Sequence, residues 1–236
     1  MYPTYETLIN SLSANGLNRL AVLDINTLPD ALQSTVREIT SVESAQRLLV
    51  VGNTGSEFWS SISQFDVNHP VDDFSVSCIE YLFRENLSDW NNEILFPGRS
   101  VIPLQQIGAA CGWGVPSWLG VSIHPEFGTW FAFRAVAITD CPLVIKEFDP
   151  IIDACVKCSD KPCVGACPAS APGLPGQFNL DACVDYRVSD ASRCTDRCVA
   201  RLSCPVGNQH SYVEEAMSYF YARSLQTLKH WKSTVS

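Results

Sequence analysis

The amino-acid sequence predicts an α+β protein in which a larger domain built on one β-sheet is followed by a small, loop-rich cysteine domain. Two observations support this division. Segments with helical periodicity alternate with apolar, strand-like runs over the first 149 residues. Eight of the eleven cysteines then fall between Cys155 and Cys204, where prolines punctuate the chain. We therefore expect domains over 1–149 and 150–210, with a C-terminal segment, 211–236, whose helix packs back on the body.

The first part of the larger domain is expected to alternate helices and strands. Apolar residues recur at helical spacing over 5–14, and the run NRLAVLDI then favours a strand. A second helix is expected over 30–39. The next run, QRLLVVGN, is continuously apolar, which is typical of a strand buried on both faces of a sheet. Glycines over 52–55 then predict a turn.

The second part of this domain continues the alternation. Aromatic and apolar spacing predicts a helix over 57–65 and a longer one over 71–87, which a proline precedes in a position suited to a first turn. A short helix is expected over 104–111. The stretch 120–139 is interpreted as two strands joined by a turn at 125–128.

The composition limits the classes of function. Apolar residues make up 46% of the chain and charged residues 17%, as in globular proteins, and no long apolar run offers a membrane span. The N-terminus, MYPTYETLIN, lacks the basic and apolar regions of an export signal, so a cytoplasmic protein is expected. A net charge of -9 without a basic run disfavours nucleic acid as a partner. A small molecule, or a protein with a basic patch, is expected instead.

The cysteine-rich region contains two runs that each end in Cys-Pro. Closely spaced thiols in a reducing compartment are typical of metal ligands. The first run has the pattern of a bacterial ferredoxin, except that four residues instead of two separate its second and third cysteines. Its members are Cys155, Cys158, Cys163 and Cys167. The members of the second run are Cys183, Cys194, Cys198 and Cys204.

This pattern predicts two 4Fe-4S clusters with crossed ligands. In two-cluster ferredoxins the cysteine that precedes proline binds the other cluster. The first cluster would then take Cys155, Cys158, Cys163 and Cys204. The second would take Cys167, Cys183, Cys194 and Cys198. Two structural zinc sites, or disulfides without metal, are the alternatives. The scattered cysteines, which are Cys78, Cys111 and Cys141, are interpreted as buried thiols.

The larger domain resembles the cobalamin-processing CblC-type family. The stretch GVSIHPEFGTWFAFRAVAIT (120–139) is similar to a family signature, and the resemblance continues in NHPVDDFSVSCIEYLF (68–83) and RLLVVGNTGSEFWSSISQF (47–65). It implies a modified nitroreductase-like fold that binds cobalamin or another corrinoid. FMN is the alternative, because nitroreductase folds usually bind it, although no basic cluster for its phosphate is evident. A homodimer is expected by the same analogy.

A second resemblance includes the cysteines. Epoxyqueuosine reductases and reductive dehalogenases join a similar cobalamin-binding module to two 4Fe-4S clusters, and this chain is similar to them in VIPLQQIGAACGWG, in HPEFGTW and in the cysteine region. It departs from the queuosine enzymes in GWGVPSWLG, which lacks their lysine. The resemblance implies a CblC-type domain followed by a bacterial-ferredoxin-like domain.

The resemblance also implies site residues. Arg134 matches the family's pocket arginine, which contacts the reductant or the corrin, and is the expected catalytic residue. The family's pocket histidine is replaced here by Gln105 or a neighbour. The other expected cofactor-binding residues are Gly108, Trp113, His124, Phe127, Gly128 and Trp130.

General chemistry leaves other roles open for these residues. An arginine inside an apolar strand needs an anionic or polar partner, which for Arg134 could equally be a core carboxylate. Tryptophans can form a pocket wall, but in most folds they are core. A lone histidine before proline, such as His124, is more often hydrogen-bonded at the surface than a ligand.

The expected function is a reductase. Electrons from a low-potential donor of the flavodoxin or ferredoxin type would pass through the clusters to the cobalt of the corrinoid. This reduction would remove the upper axial ligand or activate the corrinoid to Co(I). One alternative is a cobalamin-dependent reductase of a separate organic substrate. Another is a simple two-cluster electron carrier.

Overall fold

A four-stranded antiparallel sheet forms the centre of the first of two units into which the chain divides. The computed structural model describes residues 2–63, 69–146, 148, 151–174 and 176–235. The first unit comprises 1–113 and 131–150, and the second comprises 114–130 and 151–236. Segment 114–130 therefore belongs with the cysteines, whereas the sequence analysis placed it in the larger domain.

The structure contains both helices and strands, which confirms the predicted α+β class. In the described parts of the chain the strands are β1 (Arg19–Asp24), β2 (Arg47–Thr54), β3 (Asn92–Phe96), β4 (Val115–Pro116), β5 (Ser122–Ile123) and β6 (Phe131–Thr139). The sheet of the first unit has the order β1-β2-β6-β3, with every neighbouring pair antiparallel. Strand β2 is buried at every position after Arg47. This confirms the expectation of a strand covered on both faces.

The turn expected at 52–55 was wrong, because β2 continues to Thr54 and the chain turns at Gly55, which has a φ of 74°. Gly52 serves strand pairing instead. A β-carbon at Gly52 would collide with the carbonyl oxygen of Ala132, at the irregularity in the register of β2 and β6. Glycine is therefore needed there for close backbone approach and not for a turn.

The helices of the first unit surround this sheet. They are α1 (Tyr5–Ser13), α2 (Asp30–Ile39), α3 (Glu57–Ile62), α4 (Pro70–Asn86) and α5 (Leu104–Ala110). All of the predicted helices are confirmed to within a few residues, except that 64 and 65, at the end of the helix expected over 57–65, lie outside the described residues. Thr4 begins α1 by accepting a hydrogen bond at Oγ1 from the N–H of Thr7 at 3.2 Å.

Two parts of the sheet differ from expectation. Strand β3 was not predicted, since a run of five residues of which only Leu95 is buried carries little periodicity. The two strands expected over 120–139, with a turn between them, are present as β5 and β6, but in different sheets: β6 joins the main sheet, while β5 pairs with β4 in a two-stranded ribbon of the second unit. The predicted turn contains one isolated bridge between His124 and Gly128. Pro125 has no N–H to extend that pairing.

The second unit is rich in loops, as the prolines indicated. Its helices are α6 (Pro162–Ala166), α7 (Leu180–Val188), α8 (Val199–Leu202) and α9 (Glu214–Val235). Asn179 caps α7 by accepting at Oδ1 from the N–H of Ala182 at 3.0 Å. The helix predicted over 211–229 is α9, which starts three residues later and packs against α7.

No helix in the described ranges combines the length and the apolar character that a membrane crossing requires.

Candidate functional site

The eight clustered cysteines form two groups within the second unit. The thiol of Cys163 interacts electrostatically with those of Cys204, Cys155 and Cys158, and we call these four residues site one. The members of site two are Cys183, Cys198, Cys167 and Cys194, which interact in the same way. Each site combines cysteines from both runs of the sequence. The two groups contain the same residues as the two predicted ligand sets, and cluster binding by them stays a prediction.

The thiols of site two surround a cavity of about 190 Å³, which all four of them line. One water molecule occupies ~30 Å³ in the liquid, so this space can accept a group of several heavy atoms. A tetrahedral zinc ion instead draws four sulfurs to about 2.3 Å from a single centre. Within the described residues, no three His, Cys, Asp or Glu side chains lie close enough together to hold a single metal ion. The four cysteines of site two thus share the lining of one cavity and, as placed, do not meet at a single metal ion.

Five of the eight clustered thiols have a raised pKa. Burial, together with the neighbouring thiols of site two, raises the pKa of Cys183 to about 11. Burial also raises the pKa of Cys155, Cys163, Cys198 and Cys204. A set of four soft sulfur donors favours iron-sulfur or zinc chemistry over magnesium or calcium. These donors therefore fit a positively charged iron-sulfide centre.

Short helices place the cysteines of the first run. Lys161, with a left-handed φ of 40°, precedes Pro162 at the start of α6, and its Nζ donates to the carbonyl of Cys158 at 2.8 Å. This contact accommodates the two additional residues relative to a ferredoxin run. The ammonium also lies 5.2 Å from the ring centroid of Trp118. Cys163 follows in α6, and Cys167 comes directly after that helix.

The second run is placed by α7 and α8. Cys183 lies in α7. Cys198 precedes α8, and its Sγ accepts a hydrogen bond from the N–H of Arg201 at 3.4 Å. Hydrogen bonds to cluster sulfurs are among the factors that set a reduction potential.

The segment containing His124, Phe127 and Gly128 packs on the loop after Cys204. A β-carbon at Gly128 would collide with the carbonyl oxygen of Val206, and one at Gly207 would collide with the backbone of Phe127. The imidazole Nδ1 of His124 accepts from the N–H groups of Glu126 and Phe127, at 3.1 and 3.3 Å. These residues, proposed from the resemblance as cofactor-binding, thus also have structural roles beside site one.

Trp130 is fully buried in the second unit. The guanidinium of Arg201 lies 4.1 Å from its ring centroid, and Tyr212 packs edge-on against it. Arg201 also donates to the side chain of Thr129 at 3.0 Å and to its carbonyl oxygen. This cluster links α8 to the end of segment 114–130.

The expected residues of the first unit lie around β6 and α5. Arg134 is 9% exposed, its Nε donates to Oδ1 of Asn53 at 2.7 Å, and its guanidinium lies 4.5 Å from the ring centroid of Phe58. An amide oxygen is therefore one polar partner of this guanidinium.

Helix α5 presents the other expected residues of this unit. Gln105 is exposed. A β-carbon at Gly108 would collide with the ring of Phe133, against which Trp113 stacks with centroids 5.7 Å apart. Trp113 is 2% exposed, so it belongs to the core of the unit. Packing within the first unit accounts for both Gly108 and Trp113.

Sequence reasoning missed Arg187, a buried arginine that lines the cavity of site two. Its spacing from Cys183 was a usable signal. Residues four apart lie on the same face of a helix, so a predicted helix over this stretch would have placed the guanidinium beside a ligand thiol.

Comparison with known proteins shows a shared fold. No model of a protein family matches this chain, and no curated protein matches it. The structure of epoxyqueuosine reductase from Bacillus subtilis is similar with a TM-score of 0.61 at 16% identity, covering 89% of this chain and 66% of that one. The C. elegans B12-trafficking protein CblC is similar with a TM-score of 0.52 at 17% identity, covering 96% of both chains.

A third solved structure is the reductive dehalogenase NpRdhA in complex with 3-bromo-4-hydroxybenzoic acid, with a TM-score of 0.54 at 13% identity. It covers 93% of this chain, which spans 34% of the dehalogenase. The chain also spans about two thirds of the epoxyqueuosine reductases that it matches. The predicted likeness in fold to all three groups is confirmed.

Proposed function

We propose that this protein is an iron-sulfur reductase in which site one and site two each hold a 4Fe-4S cluster and pass single electrons to a bound corrinoid. The observation that carries the proposal is the arrangement of the thiols. Each group draws cysteines from both runs, and all four of site two line one cavity of about 190 Å³. An electron-transfer role follows from such clusters.

A corrinoid as electron acceptor is supported by the shared fold. The similar proteins include the B12-trafficking protein CblC and a reductive dehalogenase whose structure suggests a mechanism for B12-dependent dehalogenation. The individual side chains named from the sequence add little support, since most of them have packing roles within their own unit. For Arg134 the resemblance implies contact with the reductant or the corrin, and Asn53 and Phe58 would orient its guanidinium.

The chemistry can be stated with its electron balance. A bound corrinoid supplies a cobalt centre that, on accepting two electrons one at a time, passes from Co(III) to Co(I) and releases its upper ligand as an anion. The electrons originate from an external low-potential donor of the flavodoxin or ferredoxin class. The protein's own residues hold the thiolates, bury them from water and fix their geometry through α6, α7 and α8.

Metal analysis of anaerobically purified protein tests the clusters. We expect about eight irons and eight sulfides per chain, with the brown absorption of 4Fe-4S centres. The Cys183→Ser variant should lose about half of the iron, whereas Cys78→Ser, a matched control at a buried thiol of the first unit, should lose none. Colourless protein that contains zinc in place of iron would rule out the proposal.

Spectroscopy of the cluster-loaded protein tests the corrinoid. Cobalamin is added without oxygen, with dithionite as the low-potential donor, and the cobalt absorption bands are followed. We expect bands of Co(II) and then Co(I) to appear faster than with dithionite alone. Clusters without any effect on cobalamin would indicate a simple electron carrier.

A cobalamin-dependent reductase of a separate organic substrate is the second candidate. It is supported by the likeness in fold to epoxyqueuosine reductases, whose TM-scores run from 0.54 to 0.63, against 0.52 for CblC. In that case the corrinoid acts as a cofactor and returns to its starting state after each turnover of the substrate. Release of the upper ligand, with one corrinoid consumed per event, would instead support the first proposal.

A further inference from the structure

A buried arginine faces site two. Arg187 lies in α7, one helical turn after Cys183, and is 9% exposed. Together with all four thiols of site two it lines the same cavity. Among the described residues that line this cavity, it is the one basic side chain.

Hydrogen bonds fix the position of this guanidinium. Nε donates to the carbonyl oxygen of Cys194 at 3.1 Å, one terminal nitrogen donates to Oγ of Ser224 at 3.0 Å, and the other donates to the carbonyl oxygen of Tyr221 at 3.1 Å. Its carbon also lies 5.3 Å from the ring centroid of Tyr221. The acceptors in these bonds are neutral oxygens. Among the residues that the structure describes, the guanidinium is thus held by dipoles and forms no ion pair with a carboxylate.

Site one has charges of both signs nearby. Oδ1 of Asp153 accepts from the N–H of Cys155 at 2.8 Å, and Nζ of Lys161 donates to the carbonyl of Cys158 at 2.8 Å. Both side chains are half-buried. These two charges are of opposite sign. Site two instead has a buried guanidinium, that of Arg187, in the lining of its cavity.

Net charge and solvent exposure are among the factors that set the reduction potential of an iron-sulfur cluster. One-electron reduction adds a negative charge to the site. A buried cation stabilises that added charge more strongly than an exposed one, because the effective dielectric constant is lower and salt screens less.

We infer that Arg187 makes site two the higher-potential site, so that the first electron accepted by the protein resides there. The inference rests on the proposed cluster binding and adds the order in which the two clusters are reduced. Site one is reduced second and at lower potential. The C-terminal helix takes part, because Tyr221 and Ser224 of α9 hold the guanidinium against the cavity.

A redox titration followed by electron paramagnetic resonance tests this order in the cluster-loaded, full-length protein. We expect two reduction steps. In Arg187→Met, which removes the charge, the higher step should move to more negative potential by at least about 59 mV, equal to a tenfold change in the ratio of reduced to oxidised cluster. In Arg187→Lys, which keeps the charge, the shift should be smaller.

A matched control separates charge from packing. Ser224→Ala removes one hydrogen bond to the guanidinium and leaves its charge in place, so the higher step should move by much less than in Arg187→Met. An equal shift in Ser224→Ala and Arg187→Met would overturn the inference in favour of a structural effect. Unchanged potentials in an iron-loaded Arg187→Met protein would also overturn it.

Cysteine variants keep the inference testable if Arg187→Met fails to bind iron at site two. Cys183→Ser should remove or alter the higher step, and Cys155→Ser the lower one. If Cys183→Ser instead removed the lower step and Cys155→Ser the higher one, the inference would be overturned and the proposed function would stand. A wild-type protein without iron and sulfide would instead overturn the proposed function itself.

Discussion

Gly128 and Gly207 pack backbone against backbone in the second unit, and both have a positive φ, of 58° and 72°. A β-carbon on either residue would collide with main-chain atoms of the opposite segment. Gly207 follows Cys204 by three residues, so this contact fixes the loop that delivers the fourth thiol to site one. The HPEFG segment is therefore a support for a cysteine loop, whatever else it contacts.

Substitution of Gly128 by alanine should damage site one selectively. A positive φ alone costs an L-residue about 1–2 kcal/mol, and the collision with Val206 adds to that cost. We expect a lower unfolding temperature, and loss of iron from site one with site two retained. Thermal denaturation and iron analysis measure the two effects.

Gly176 offers a matched control for this variant. It also has a positive φ, of 82°, but no heavy atom lies within 4 Å of the position of its missing β-carbon. Gly176→Ala should therefore show the conformational cost without the collision, and keep its full iron content. Equal iron loss in the two variants would contradict the supporting role of Gly128.

Much of the fold was readable from local pattern. Strand β2 and helix α2 carry strong apolar signals, and the structure confirms both. Strand β3 carries little signal because its pairing with β6 is a tertiary effect. The grouping of segment 114–130 with the cysteines has a similar origin: it depends on Gly120 against Phe178 and Gly128 against Val206, contacts that link distant parts of the chain.

The candidate site was readable where spacing encodes it. Cys-Pro at the end of each run was sufficient to predict two ligand sets, and the structure groups the same thiols. The charge beside site two was readable only in part. The four-residue spacing from Cys183 places Arg187 on the same face of α7, but the orientation of its guanidinium depends on contacts with α9, which is more than 30 residues away in the sequence. Similarly, the resemblance located Trp113 but could not show that Phe133 covers its face.

Glu93 should contribute to stability in a pH-dependent way. Burial alone would raise the pKa of this carboxyl, but hydrogen bonds from Ser41 and Thr40 outweigh it and lower the pKa. The Oε2 atom accepts from the Ser41 N–H at 2.7 Å, the Thr40 hydroxyl at 2.8 Å and the Ser41 hydroxyl at 3.0 Å. A lowered folded-state pKa gives stability above the ordinary pKa of glutamate, which is lost as the pH falls through the folded value.

Glu93→Gln should therefore reduce the free energy of unfolding by about 1 kcal/mol at pH 7, and by less in acid. Denaturant unfolding at several pH values measures the difference. Glu85→Gln is the control, because the carboxylate of Glu85 is exposed and pairs with an exposed Arg84. A difference for Glu93→Gln that stays constant down to pH 3 would show that its ionisation is not involved.

Arg134 and Asn53 should be energetically coupled. Asn53 is 2% exposed, so Arg134→Met leaves a buried amide oxygen without the hydrogen bond that the guanidinium Nε now donates. We expect a loss of about 2 kcal/mol in the free energy of unfolding. In a double-mutant cycle with Asn53→Ala, the two losses should be clearly less than additive.

The same variant tests the corrinoid role of Arg134. If the guanidinium contacts the corrin or its reductant, Arg134→Met should also slow cobalamin reduction at a temperature where the protein stays folded, and Arg134→Lys should restore part of the rate. Unchanged reduction kinetics in a folded Arg134→Met protein would limit this arginine to a structural role.

The crossed assignment of cysteines makes a prediction that an uncrossed assignment reverses. Cys163 and Cys204 belong to different runs of the sequence but to the same site, whereas Cys163 and Cys167 belong to one run but to different sites. The Cys163→Ser/Cys204→Ser double variant should keep about half of the wild-type iron, since site two retains all of its thiols. The Cys163→Ser/Cys167→Ser variant should lose iron from both sites, because each site lacks one ligand. Iron and sulfide analysis distinguishes the two, and if each run instead supplied a whole cluster, the first variant would lose both clusters and the second would keep one.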